Sequence, residues 1–148
     1  MSLSQGLRSR LWVLAQFALV AGMLAWPAHW RLTPWALLVA GLGGALGLWV
    51  MAWNRPGNFN IRPEPRAGAR LIQGGPYRRM RHPMYSALLL VMGGVALASP
   101  DPARATAWLG LLLVLHGKSE LEERLLLARW PEYAAYRART WKFIPKPG

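Results

Sequence analysis

The chain contains no cysteine among its 148 residues, which excludes disulfide bonds and thiol chemistry. Negative charge is scarce as well, because six Asp and Glu stand against 18 Lys and Arg, giving a formal net charge of +12. Apolar residues, by contrast, make up 53% of the chain and are arranged in blocks between the arginines. Any account of the protein must therefore explain strong hydrophobicity and strong positive charge together.

Two classes of protein carry a charge of this kind. Nucleic-acid-binding proteins are often this basic, but they do not normally contain long apolar runs. A membrane protein whose basic residues lie in the loops of one side explains both features. We therefore expect an integral membrane protein with membrane lipids as neighbours and no nucleic-acid partner.

Four apolar segments predict an all-α membrane bundle of about four transmembrane helices, in one domain over residues 1–148. The strongest span is the second, with about 20 uncharged residues. The first follows two arginines, as in a signal peptide, but Trp26 stands where cleavage needs a small residue. The predicted spans are residues 11–30, 34–53, 83–99 and 103–117, with a cytoplasmic loop at 54–82 and a cytoplasmic tail at 118–148.

The distribution of charge predicts an orientation for these spans. The amino terminus, the loop and the tail share one side, and only Arg31 and Arg104 among the arginines and lysines fall on the other. By the positive-inside rule the shared side is the cytoplasm. We expect a protein of the bacterial inner (cytoplasmic) membrane with both termini cytoplasmic.

The second span carries four glycines, Gly41, Gly43, Gly44 and Gly47, close to one helical face. Small residues on a membrane helix let a neighbouring helix approach closely. Glycine is also simply common in membrane helices, so the pattern leaves helix contact and composition equally open.

The densest polar segment is GPYRRMRHPMY at 75–85, directly before the third span. Pro83 suits the first position of a helix, and the residue before a proline is biased toward extended backbone. The pattern predicts a turn at 74–76, a short basic segment and a helix that begins near Pro83. Arg81 and His82 then lie at a helix N-terminus, where free N–H groups and the helix dipole favour a carboxylate or a phosphate.

A second polar group follows the fourth span, whose helix is expected to continue to about residue 129. Helix spacing puts His116, Glu120 and Glu123 on one face, with Glu122 beside them. These residues should lie at the same depth as the basic segment. Cations from one half would then face carboxylates from the other, and such a pocket could hold a zwitterion.

Plainer interpretations exist for several of these residues. Arg78 and Arg79 could serve only to anchor the chain to anionic lipid headgroups. Glu120 could belong to a solvated, ion-paired helix face. We expect no metal site, because the chain has only three histidines and His29 should lie across the membrane from the others.

Three motifs together resemble the isoprenylcysteine carboxyl methyltransferase and phospholipid methyltransferase family of integral membrane enzymes. They are the block GPYRRMRHPMY, the pair Glu122-Glu123, and Glu132-Tyr133-x-x-Tyr136 followed by Phe143-Ile144-Pro145. The resemblance covers residues 72–145, about half of the chain. Lys142 stands where the family usually has an arginine.

The resemblance implies a methyltransferase that uses S-adenosylmethionine at a cytoplasmic site and methylates a lipophilic or membrane-embedded carboxylate or amine. The motif positions implied for cofactor binding are Tyr77, Arg81, His82, Pro83, Tyr85, Glu122 and Glu123. We assign Arg81 and His82 to the carboxylate of the cofactor, and Glu122 and Glu123 to its ammonium or sulfonium. His82 and Glu123 are the candidate catalytic bases, which an amine acceptor would need.

Two other functions fit parts of the sequence. Membrane sterol and enone reductases are similar in part of the carboxyl-terminal architecture and use NADPH, whose 2′-phosphate could bind at residues 78–81. A non-enzymatic membrane module could bind anionic lipid through the same basic loop. The sequence identifies neither the methyl acceptor nor the oligomeric state.

Overall fold

The computed structural model describes residues 3–27, 29–54, 68 and 70–147. Among these residues every regular element is a helix and no strand is formed, which confirms the all-α prediction. Residues 55–67 and 69 of the predicted loop lie outside the described residues. The elements are α1 (Leu3–Ala25), α2 (Pro34–Trp53), a 3₁₀ helix (Gly75–Arg78), α3 (Pro83–Ala98), α4 (Pro102–Arg129) and α5 (Tyr133–Arg139).

Three of the long helices, α2, α3 and α4, begin with a proline at their first position. Proline has no N–H to leave unpaired there, and its fixed φ suits the first turn. The side chains of Thr33 and Asp101 accept hydrogen bonds from the backbone N–H groups of α2 and α4 that follow them. His82, which precedes α3, makes no such bond, so its imidazole is available for contacts with α4.

Two helices are long and apolar enough to cross a membrane, over Gly6–Ala25 and Pro34–Trp53. Only 17% of the residues in each are buried within the fold, so most of their side chains point outward. α3 is apolar but has 16 residues, fewer than the roughly 20 that a span usually needs, and α4 ends in charged turns. Membrane spanning by α3 and α4 therefore stays a prediction.

The first helix differs from the predicted span of 11–30. It lies between Leu3 and Ala25 and closes with a hydrogen bond from the N–H of Trp26 to the carbonyl of Gly22 (3.0 Å). Pro27 explains the early end, because proline has no N–H for the ladder and disfavours helix in the residue before it. α4 continues to residue 129, as its amphipathic continuation predicts.

α2 packs closely along α3, and glycines on both helices permit it. A Cβ added at Gly43 would lie 2.6 Å from a backbone nitrogen of α3, and one at Gly94 would lie 2.6 Å from a side chain of α2. Gly47 makes ordinary contact with α3, whereas Gly41 and Gly44 have no neighbour within 4 Å. Only part of the predicted glycine face is therefore a helix interface.

α1 packs against α4, and α3 contacts both of them. The buried cluster that joins these three helices consists of Met23, Leu89, Met92, Leu111 and Leu115. This core fixes α3 and α4 side by side, which brings the start of α3 near the charged half of α4.

The turn predicted at 74–76 packs on the end of α2. Gly75 adopts a φ of +55°, a conformation that favours glycine, and a Cβ at this position would lie 2.4 Å from the indole ring of Trp53. Both the backbone conformation and the contact with Trp53 therefore require glycine at position 75. This contact holds the turn against α2 just before the basic segment begins.

The basic segment is also held by the carboxyl-terminal tail. The N–H of Arg81 donates to the carbonyl of Trp141 (2.8 Å), and the N–H of His82 donates to that of Lys142 (3.0 Å). The N–H of Trp141 donates in turn to the carbonyl of Arg79 (3.3 Å). The backbone of the tail thus fixes the two residues that precede α3.

Candidate functional site

The candidate site lies where the amino end of α3 meets the charged half of α4. The structure brings Arg81, His82, Glu122 and Glu123 together there, although 41 and 42 residues separate His82 and Arg81 from Glu123. These residues form two adjacent groups, one around each glutamate.

The first group surrounds Glu123, whose side chain is only 1% exposed. Its Oε1 accepts a hydrogen bond from Nε of Arg81 (2.9 Å) and lies 3.0 Å from Nε2 of His82. Nε of Arg137 lies 3.2 Å from the other oxygen, Oε2, without forming a hydrogen bond. Burial opposes ionisation of Glu123, but the bonds to His82 and Arg81 outweigh it and lower its pKa to about 2.

Arg81 also connects this group to α5. Its NH1 donates to the carbonyl of Arg137 (3.1 Å) and to that of Thr140, at the carboxyl end of the helix. Cations stabilise that end of a helix because its last carbonyls lack partners. A single guanidinium therefore holds α3, α4 and α5 in register.

The second group surrounds Glu122, whose side chain is 29% exposed. The hydroxyl of Tyr85 donates to its Oε2 (2.8 Å), and Nδ1 of His82 lies 3.7 Å from the same oxygen. Burial and the nearby charge of Glu122 raise the pKa of Tyr77 to about 12, although a hydrogen bond with Asn54 opposes the rise. Glu122 is thus an accessible carboxylate beside neutral phenols.

Aromatic rings line the space between the two groups. The imidazole of His82 stacks on the ring of Tyr85 with 5.2 Å between centroids, and Phe143 from the tail lies edge-on to His82 at 6.0 Å. Pro83 is buried at the start of α3. The imidazole is therefore held in one orientation by packing as well as by charge.

Two residues of the site were missed in the sequence. Lys118 is only 2% exposed, donates to Oε1 of Gln16 (2.8 Å) and lies 5.1 Å above the ring of Tyr85. Burial lowers its pKa. Its position four residues before Glu122 was a signal that it shares that face of α4. Arg137 offered no comparable signal.

Other charged residues lie away from these groups. Glu120 pairs with Lys142 of the tail and lies 3.8 Å from His116, so it does not join Glu123 as the helix spacing suggested. The hydrogen bond with Lys142 lowers the pKa of Glu120. Arg78 and Arg79 are exposed, as anchoring residues would be.

Comparison with known proteins identifies the family. A family model for phospholipid methyltransferases matches residues 35–132, about two thirds of the chain. The matched residues include Arg81, His82, Glu122 and Glu123. The chain is 28% identical over 130 residues to the cobalt-zinc-cadmium resistance protein CzcN of Cupriavidus metallidurans. That alignment covers 87% of this chain and 57% of CzcN, so the chain spans little more than half of that relative. The chain belongs to the phospholipid methyltransferase family.

Proposed function

We propose that this protein is an S-adenosylmethionine-dependent methyltransferase that acts on a lipophilic acceptor in the membrane. The observation that carries the proposal is the unequal state of the two adjacent glutamates. Glu123 is buried and contacts Arg81 and His82. Glu122 is partly exposed, and among the described residues it accepts a hydrogen bond from a phenol and lies near the far nitrogen of His82. One carboxylate holds the site together and the other is left for a ligand.

The donor set of the site fits S-adenosylmethionine, which supplies an electrophilic methyl group on a sulfonium and also carries an ammonium and a carboxylate. Glu122 offers the negative charge that binds a cationic group, and the rings of Tyr77 and Tyr85 offer flat apolar surface beside it. Arg81 and His82 remain the candidates for the carboxylate of the cofactor. Arg137, whose side chain is 47% exposed, adds a more accessible guanidinium at the same cluster.

The residues of the site contribute mainly by positioning. The network around Glu123 fixes His82 between an ion pair and two aromatic rings, so the groups that face the reactants are held rigid. In methyl transfer the acceptor displaces the sulfur of the donor from the methyl group. Protein groups accelerate such a displacement mainly by placing donor and acceptor rigidly and by excluding water. No side chain of the protein needs to form a covalent bond with the methyl group.

The need for a base depends on the acceptor. A carboxylate accepts a methyl group without losing a proton, whereas an amine that is protonated at neutral pH must first lose one to expose its lone pair. His82 and Glu123 are the candidate bases. Because the pKa of Glu123 is lowered to about 2, it is a weak base, and this favours His82.

Binding of S-adenosylmethionine to the purified protein in detergent, measured by calorimetry, tests the proposal. Glu122→Gln should weaken binding by roughly tenfold or more, because a charge-assisted contact is lost. Glu132→Gln, an exposed carboxylate at the start of α5, is the matched control and should bind as the wild type does. Equal affinity of Glu122→Gln and wild type would remove the assigned role of Glu122. Absence of binding to the wild type, with binding of NADPH in parallel, would favour the reductase.

The class of acceptor can be tested with methyl-labelled cofactor and a membrane lipid extract. A labelled product in the organic phase is expected. Mild base would release the label as methanol from a methyl ester but not from a methylated amine. Label that stays in the aqueous phase would contradict a lipophilic acceptor.

A further inference from the structure

A groove of about 600 Å³ lies between the charged halves of α1 and α4. Leu11 and Trp12 of α1 and Leu121 of α4 form its apolar wall, and Arg8 and Arg124 stand at its rim. The groove therefore combines an apolar surface with two cations, one from each helix.

The groove lies on a different face of α4 from the methyltransferase site. Gly117, Leu121 and Arg124 follow at intervals of four and three residues, which places them on one helical face. Glu123 precedes Arg124 by one residue, so it is rotated from it by about 100°. Its side chain is also buried against Arg81 rather than toward α1. The groove is thus a second surface.

The indole of Trp12 lies directly on the backbone of α4. A Cβ at Gly117 would be 2.4 Å from the ring of Trp12, so only glycine leaves room for this contact. Trp12 follows Arg8 and Arg10 and lies near the beginning of the apolar stretch Gly6–Ala25. Tryptophan beside arginine at the end of an apolar helix is typical of the headgroup level of a bilayer.

The charges at the rim are not neutralised within the described part of the chain. Arg8 and Arg124 are both exposed, and neither forms an ion pair with a carboxylate of the described residues. Glu120, which also borders the groove, is engaged by Lys142. Two guanidinium groups at the mouth of an apolar groove complement a phosphate attached to hydrocarbon chains.

We propose that the groove binds an anionic phospholipid, with its phosphate on Arg8 and Arg124 and the first part of an acyl chain on Leu11 and Trp12. The proposal rests on the membrane insertion of α1 and not on methyl transfer. A zwitterionic lipid is a poorer ligand, because its ammonium adds a positive charge beside two arginines.

Quenching of tryptophan fluorescence by brominated lipids tests the groove in nanodiscs. The contribution of Trp12 is the difference between the wild type and Trp12→Phe, since the chain has nine tryptophans. Brominated phosphatidylglycerol should quench this contribution at much lower content than brominated phosphatidylcholine or phosphatidylethanolamine, with a preference on the order of tenfold. Equal quenching by the three lipids would overturn the proposal.

Paired variants identify the cations responsible. The double variant that carries both Arg8→Gln and Arg124→Gln should lose the preference for phosphatidylglycerol. Arg10→Gln, an exposed arginine of the same helix that does not line the groove, should retain it. A preference that survives the double variant, or is lost equally in Arg10→Gln, would contradict the assigned contacts. No cofactor or turnover enters the measurement, so its outcome is independent of the proposed enzyme activity.

Discussion

Nε of Arg81 lies 2.9 Å from Oε1 of Glu123, and this contact joins the start of α3 to α4 across 42 residues of sequence. Both side chains are buried, with 9% and 1% of their surfaces exposed. A buried carboxylate is costly unless it is paired and hydrogen-bonded. The pair therefore has a structural role that exists before any ligand binds.

Arg81→Gln should lower the free energy of unfolding by roughly 3 kcal/mol, because it leaves the buried carboxylate of Glu123 with less compensation. It also removes the donor to the carboxyl end of α5. Arg78→Gln, an exposed arginine of the same segment, is the matched control and should change stability by less than about 0.5 kcal/mol. Thermal unfolding in detergent measures the stability of both variants. Equal losses of stability would show that the ion pair between Arg81 and Glu123 does not stabilise the fold.

The lowered pKa of Glu123 predicts a loss of stability in acid. Its pKa falls from an ordinary 4.5 to about 2 in the folded chain, so between these values the unfolded chain binds the proton more readily. The stabilisation is complete above pH 4.5 and disappears as the pH falls to 2. The shift corresponds to about 3 kcal/mol.

Unfolding measured across this acid range in the wild type and in Glu123→Gln tests the assignment. The variant should be less stable near neutral pH and should lose less stability on acidification. Glu132→Gln removes an exposed carboxylate and should keep the acid dependence of the wild type. An unchanged acid dependence in Glu123→Gln would assign the effect to other carboxylates.

Local patterns in the sequence predicted the helices and the meeting of the basic segment with the acidic pair, whereas the roles of these residues in a site stay predictions. The proline at position 83 predicted the start of α3, and helix spacing together with depth predicted that the basic segment would meet Glu122 and Glu123. The partner of each charge was not predictable, because the two glutamates differ only in how tertiary packing buries them. The role of the tail depends on backbone hydrogen bonds, which carry no side-chain signature.

The contact between α2 and α3 predicts different effects for neighbouring glycines. Gly43→Ala should destabilise the protein by roughly 1–3 kcal/mol, because the new methyl group would lie 2.6 Å from the backbone of α3. Gly41→Ala meets no atom within 4 Å and should be neutral or slightly stabilising, since alanine favours helix more than glycine does. Thermal unfolding of the two variants in the same detergent makes the comparison. A loss in Gly41→Ala as large as in Gly43→Ala would mean that helix contact is not the cause.

A buried arginine at the other end of the bundle provides a last prediction. Arg104 is 1% exposed and donates to three backbone carbonyls: Nε to Met23 (3.0 Å), NH1 to Ser99 (2.6 Å) and NH2 to Trp26 (3.0 Å). Two of these carbonyls belong to the end of α1 and one to the end of α3. The guanidinium also lies 5.4 Å from the ring of Trp30.

Arg104→Met keeps an unbranched apolar stem but removes the guanidinium that donates to all three carbonyls. The free energy of unfolding should therefore fall by about 3 kcal/mol relative to the wild type. Arg104→Lys should fall between the two, because an ammonium cannot reproduce the planar fork of the guanidinium. Arg31→Met, at an exposed arginine on the same side, should have little effect on thermal unfolding in detergent. If Arg104→Lys were as stable as the wild type, positive charge alone would hold the two helix ends, because the lysine variant keeps the charge and loses the three-way hydrogen bonding.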